Sequence, residues 1–266
     1  RGEHLQKLLN DLQRNGYSKS TISLIHVLLN SMFKQALKNE LIKKNPVELT
    51  TLPRGEKKKE RRVLSREEQE LLLKEVKGNE LEPIIQIALA TGMRIGELTG
   101  LEWNNIDFEK KEIRVEGTLK ITRKGECFKD TPKTSTSNRT IPLLPKAEMV
   151  LKRLRVIQKE QRLSMGMGWE PLQGLEQLVF TREDGKPFTS QHIRQQLVHI
   201  VKAINVKYFT EEENAYISTN NVKDNMPKQK LFGIEKFENF TPHTLRHTFA
   251  TRALESGIPP KVVQEI

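Results

Sequence analysis

The sequence predicts a mainly helical protein with a small antiparallel β-sheet, organised as two basic parts joined by a short linker. Three observations carry this. Apolar residues recur at i, i+3, i+4 through most of the 266 residues. One stretch, 112–143, instead alternates in strand fashion around a turn-rich segment. The chain carries 45 Lys and Arg against 34 Asp and Glu, a net charge of +11, which suits a polyanion such as nucleic acid but is equally met in basic proteins that bind none.

In chain order, residues 3–14 form a first helix, with Leu5, Leu8, Leu9 and Leu12 on one side and Asn15-Gly16 ending it. Residues 20–38 form a second, with Ser20 as N-cap and Ile22, Ile25, Leu29, Met32, Phe33 and Ala36 as its apolar face. Asn45-Pro46 closes a third short helical piece. A segment of about 50 residues is small for an independent domain, and further helices are expected upstream. The N-terminus, Arg-Gly-Glu-His, has neither a Met nor the pattern of a signal peptide.

Residues 53–64 read as a basic linker. Its stretch 53–62 holds six cations in ten residues and no core-forming side chain. A solvated tether is the simplest account of Lys57, Lys58, Lys59, Arg61 and Arg62, and a strap lying along phosphates is the functional one. A second unit, 65–266, opens with a capping box, Ser65 and Glu68, ahead of Leu71, Leu72 and Val76. Helix 81–91 stops at Gly92, and Arg94 sits in the turn entering helix 95–101. Ile113, Val115, Leu119 and Ile121 mark strands, residues 124–138 are polar, and 139–143 form another strand, giving one sheet with Lys133 near its tip. Helix 146–163 follows, then a strand at 178–180, a turn at Asp184-Gly185, and a helix from a Ser190 cap to about Ile204. Residues 205–240 read as a β-rich insertion, with Phe209, Tyr216, Ile217, Phe232, Ile234 and Phe237 spaced by polar residues. Thr241-Pro242 starts a helix over 242–256 ended by Gly257, with Leu245, Phe249, Ala253 and Leu254 as its buried face, and Pro259-Pro260 starts one more.

The chemistry lies in two boxes about 150 residues apart. In 241–249, His243 and Arg246 share a helix face at its positive end, a ready anion site. In 91–98, Arg94 follows a helix-ending glycine, and Glu97 three residues on can orient its guanidinium or form an ordinary surface pair. Lys133 is either a solvated loop lysine or a proton donor. His247 points about 100° away from Arg246 around the helix and is expected to be structural. A single cysteine, Cys127, excludes an intramolecular disulfide and reads as a packing residue. No Cys/His cluster suggests zinc, and no apolar run approaches the ~20 residues of a membrane span.

Together these boxes resemble the signature boxes of the tyrosine recombinases, the phage-integrase family. Lys133-Thr134 through Arg139-Thr140-Ile141-Pro142-Leu143 resembles the family's lysine hairpin, and the helices before the linker resemble the end of its core-binding domain. The likeness is closest to integrases of conjugative transposons, whose β-rich insertion before the His-x-x-Arg box matches 205–240. The resemblance implies a two-domain clamp on double-stranded DNA at element ends and target. In it, Arg94 and Arg246 hold the scissile phosphate, Lys133 protonates the leaving oxygen and His243 assists the attacking tyrosine, with Glu97 in support and no cofactor or metal. It also implies a tetramer on two sites, DNA-bending accessory proteins and a bacterial, nucleoid-associated cytoplasmic location. Lys19, Thr21, His192 and Arg194 are candidate DNA contacts on helices 20–38 and 190–204. The family's tyrosine follows the His243 box, whereas Tyr17, Tyr208 and Tyr216 precede it, so this chain is expected to bind DNA without cutting it. A non-catalytic site-specific DNA-binding module and a type IB topoisomerase-like enzyme are the alternatives.

Overall fold

The computed structural model describes residues 1–53, 61–122, 126–130, 138–208 and 236–265. The chain divides into two compact units, Arg1–Glu60 and Arg61–Ile266. The boundary falls inside the basic segment, with Arg61 and Arg62 on the side of the second unit.

The first unit consists of α1 (Gly2–Arg14), α2 (Lys19–Lys38) and a 3-10 turn at Pro46–Leu49 that packs on both helices. Ser18, not Ser20, caps α2: its hydroxyl accepts from the Thr21 amide at 3.2 Å, because Lys19 and Ser20 are already helical. Asn45-Pro46 opens the 3-10 turn instead of closing a helix. The Asn45 side chain accepts from the Val47 amide at 3.1 Å, and proline is suited to a first helical position, where its missing N–H costs nothing. Leu9, Ile22 and Val47 are buried here. Met32, expected on the inner face of α2, is exposed, as are Leu24, Val27 and Leu28.

The second unit is organised around α4 (Glu82–Thr91). This helix is apolar almost all round, and such a helix must be enclosed. Ile84, Ile85, Ile87 and Ala88 are all buried, with α6 (Pro145–Met165) and α8 (Pro242–Glu255) packed against it. Before α4 comes α3 (Arg66–Glu75), which starts at the expected Ser65–Glu68 capping box. After it comes the short α5 (Ile95–Thr99). The expected single sheet is two: β1 (Ile106–Asp107), β2 (Glu112–Val115) and β5 (Arg139–Pro142) form one, and β3 (Thr118–Ile121) pairs with β4 (Cys127–Asp130) in the other. The break comes between Val115 and Thr118. Val115 is the last residue of β2 and pairs with Arg139, whereas Thr118 starts a new pairing with Asp130. Cys127 is the first residue of β4. It packs against Leu119, Leu175 and Leu178, and burial pushes its thiol pKa up.

Residues 178–180 do not form a strand; Leu178 makes an isolated bridge with Glu102, and Gly185 makes the expected turn at φ 82°. Helix α7 runs Ser190–Tyr208. Thr189, not Ser190, is its side-chain cap, accepting from the His192 amide at 3.0 Å. Residues 205–208 of the expected insertion thus continue a helix. Phe209, Tyr216, Ile217, Phe232 and Ile234 lie outside the described residues, while Phe237 and Phe240 are buried in the main core. Thr241 caps α8, and Gly257 follows it at φ 83°. The buried face of α8 includes Thr244 and Thr248, and Leu254 is exposed. Thr248 accounts for this: its hydroxyl accepts from the Leu64 amide at 3.0 Å and donates to the Thr244 carbonyl at 2.8 Å, so the polar atom is satisfied in the core. Helix α9 (Pro260–Glu265) follows.

Two close approaches set the site. Gly92 has φ 65°, and a Cβ there would overlap the Phe249 ring of α8. A Cβ at Gly100 would lie 2.8 Å from the Leu119 amide nitrogen, so α5 sits directly on β3. Gly92→Ala should therefore combine a left-handed-backbone cost of ~1–2 kcal/mol with overpacking of ~1–3 kcal/mol. Gly78→Ala, at φ 79° with no neighbour within 4 Å, should show only the first. Paired denaturation curves check this, and equal losses would contradict it.

Candidate phosphate-binding site

The turn Gly92-Met93-Arg94 joins α4 to α5 and delivers Arg94 as the N-cap of α5, with φ −69° and ψ 147°. An arginine is a poor cap, and Glu97 compensates by reaching back. Its Oε2 accepts from the Arg94 amide at 2.9 Å and its Oε1 from the Arg94 guanidinium at 2.8 Å. The Glu97 side chain is 8 % exposed, whereas that of Arg94 is 57 % exposed. The carboxylate is thus an internal support and the cation faces outward.

Helix α8 brings Arg246 to the same turn. Its guanidinium donates to the Gly92 carbonyl, which bridges the two sequence boxes across 154 residues. Burial, together with the nearby cations Arg94 and Arg139, lowers the Arg246 pKa, with Glu97 opposing. Two arginines held this close leave unbalanced positive charge where an anion can bind. His243, one helical turn before Arg246, is exposed at the helix start.

Two side chains join this group without having been expected there. Arg139, the first residue of β5, donates to both oxygens of Glu97, at 3.0 and 2.7 Å, and is only 16 % exposed. An arginine at the start of a strand carries no local sign of such a partner. His247 stacks on His243 with ring centroids 6.4 Å apart. Spacing from Arg246 hides this, while the i, i+4 spacing from His243 reveals it. Burial lowers the His247 pKa, and the nearby Arg61, His243 and Arg246 lower it further.

Lys133 and the cations Lys57, Lys58 and Lys59 lie outside the described residues. Arg62 is no outward strap: it pairs with Glu68 at 2.6 Å and Glu238 at 2.5 Å. Arg61 is exposed. Lys19 and Thr21 are exposed at the start of α2, where the Thr21 hydroxyl lies 2.9 Å from that of Ser18. His192 is paired with Glu80 at 2.9 Å, while Arg194, two residues on, is exposed. Among the described residues no group of three or more His, Cys, Asp or Glu is placed to hold a metal, and no helix is long and apolar enough to cross a membrane.

The second unit thus presents paired arginines and a histidine from the turn after one helix and the start of another, an arrangement able to hold an anion. Residues 62–266 match the Phage integrase family, and the chain belongs to that family of tyrosine recombinases. It is 30 % identical to a tyrosine recombinase XerC-like protein of Caldanaerobacter subterraneus subsp. tengcongensis, over 98 % of this chain and 62 % of the relative. It is 25 % identical to the transposase of transposon Tn916 from Enterococcus faecalis, over 96 % of this chain and 56 % of that protein. The chain thus spans about three-fifths of the length of these relatives. Its fold is similar to the Tn1549 transposon integrase solved in complex with transposon right-end DNA, with a TM-score of 0.75 and 26 % identity over 100 % of this chain and 76 % of the other.

The Glu97 carboxyl has a direct pH consequence. Burial alone would raise its pKa, but hydrogen bonds from Arg139 and the Arg94 amide, with the Arg139 charge, outweigh burial and hold it below the ordinary 4.5. A carboxyl depressed on folding stabilises fully above its unfolded value and loses that contribution as pH falls through its folded one. Stability should therefore decline below about pH 4.5, and Glu97→Gln should lower stability at neutral pH while making this acid limb shallower. Urea midpoints measured across the acid range check it, and an unchanged acid slope would contradict it.

Proposed function

We propose that this chain is part of a site-specific recombinase, an integrase of a mobile element, and carries the phosphate-holding part of its active site. The observation that carries this reading is the bridge from Arg246 to the Gly92 carbonyl, which sets two arginines from distant boxes beside one another. In the proposed reaction a tyrosine oxygen attacks phosphorus and the bond to the 5′ oxygen breaks. A 3′-phosphotyrosyl ester and a free 5′ hydroxyl result. Arg94 and Arg246 neutralise the charge that builds on the non-bridging oxygens, and His243 handles the tyrosine proton. Lys133 gives a proton to the 5′ oxygen; this role rests on the family resemblance alone. The ester conserves the bond energy, so a second 5′ hydroxyl can rejoin the strand and release the tyrosine. Four such cleavages on two duplexes call for four protomers.

None of the three tyrosines of this chain is proposed as the nucleophile, since Tyr17, Tyr208 and Tyr216 all precede the His243 box. Tyr17 belongs to the first unit and is half exposed. Tyr208 donates its hydroxyl to Glu75 at 2.7 Å, at the end of α7. Tyr216 lies outside the described residues. These 266 residues by themselves are therefore proposed to bind DNA without cutting it.

The test runs these 266 residues beside the full open reading frame that encodes them, each mixed with a labelled, nicked suicide duplex of the element end. Both should shift the DNA on a native gel, and only the full product should leave an SDS-resistant adduct. An adduct on the 266 residues, abolished by Tyr208→Phe or Tyr216→Phe, would overturn the assignment of the tyrosines. Binding by the full product with no adduct would replace the recombinase by a DNA-binding module. Relaxation of supercoils without site preference would favour a topoisomerase-like enzyme.

A further inference from the structure

Glu97 serves two arginines, and the two are unlike. Arg139 is largely buried and directs two guanidinium nitrogens at the carboxylate, one at each oxygen. Arg94 is mostly exposed and gives the carboxylate one guanidinium nitrogen besides its backbone amide. A carboxylate and one arginine form a neutral bidentate pair, the strongest arrangement open to them. Alone with Arg94, Glu97 would draw that guanidinium into such a fork and cancel its charge. With Arg139 already in the fork, the three groups carry a net charge of +1, and the excess resides on the outward member.

We propose that Arg139 is a positioning residue for this site: by saturating Glu97 it keeps the charge and the outward edge of Arg94 available to a DNA phosphate. Arg139 itself touches no phosphate in this role. Its position supports this division of labour, since it lies opposite the buried Val115 on β2 and is fixed by the sheet rather than by a mobile surface rotamer. The depressed pKa of Glu97 agrees, because it keeps the carboxylate charged and so in need of a full partner.

This inference rests on the phosphate role proposed for Arg94, and the test separates the two. Binding to a fluorescent duplex of about 30 base pairs is measured by anisotropy from about 50 to 200 mM salt, where each phosphate contact adds about 0.9 to the log–log slope. Arg94→Ala should lower the slope by about 0.9. Arg139→Met should lower it by nearly the same amount, although it removes no phosphate contact. The double variant Glu97→Gln with Arg139→Met should restore the slope, since a neutral amide at position 97 no longer captures Arg94. A role limited to clamping β5 to α5 predicts instead that Arg139→Met and the double variant both lose thermal stability and keep the wild-type slope. That result overturns the inference. An unchanged slope in Arg94→Ala overturns the phosphate reading beneath it. Should Arg139→Met fail to fold, Arg139→Gln keeps a donor for Glu97 without the charge and carries the same expectation.

Discussion

The site depends on one point of contact, the crossing of the chain at Gly92. There α4 ends in a left-handed residue, the Phe249 ring of α8 lies where a side chain would stand, and the Gly92 carbonyl receives Arg246. Each feature requires the others. Without a glycine the turn into α5 is strained and α8 is pushed away. Without the close approach of α8, Arg246 does not reach the carbonyl. The apolar α4 makes this contact firm, because a helix enclosed by α6 and α8 has little freedom to shift.

A second constraint is electrostatic. Packing two or three guanidinium groups together is unfavourable until an anion arrives, and one buried carboxylate makes it tolerable. Glu97 balances part of the charge, caps α5 through the Arg94 amide and anchors β5 through Arg139. The local helix, the sheet and the site therefore share a single group. His247 stacks on His243, and burial together with the nearby arginines disfavours its charged form.

Much of this was legible in the sequence because it is written locally. The Ser65–Glu68 box, the stop at Gly92, the Thr241 cap and the Arg94–Glu97 pair each involve residues within three positions of one another. Two caps moved by one or two residues, where neighbouring hydroxyl residues compete for the position: Ser18 over Ser20, and Thr189 over Ser190. What the sequence did not disclose is long-range. Arg139 meets Glu97 across 42 residues, and nothing in Arg139-Thr140-Ile141 distinguishes an exposed strand arginine from a buried one. The division into two sheets depends on which strand β4 pairs with, a tertiary choice that alternation cannot decide. Thr248 shows the reverse difficulty, since a polar residue reads as surface until its two hydrogen bonds are known.

If the two sequence boxes form a single phosphate site, Arg94 and Arg246 must answer to one ligand. The most direct test is a titration of the labelled protein with dimethyl phosphate, a minimal phosphodiester, followed by NMR of the arginine Nε–H and histidine ring signals. Arg94, Arg246 and His243 are expected to shift together with one dissociation constant, while Arg194 and His192 stay still. Separate constants for Arg94 and Arg246, or a shift in only one of them, would contradict it.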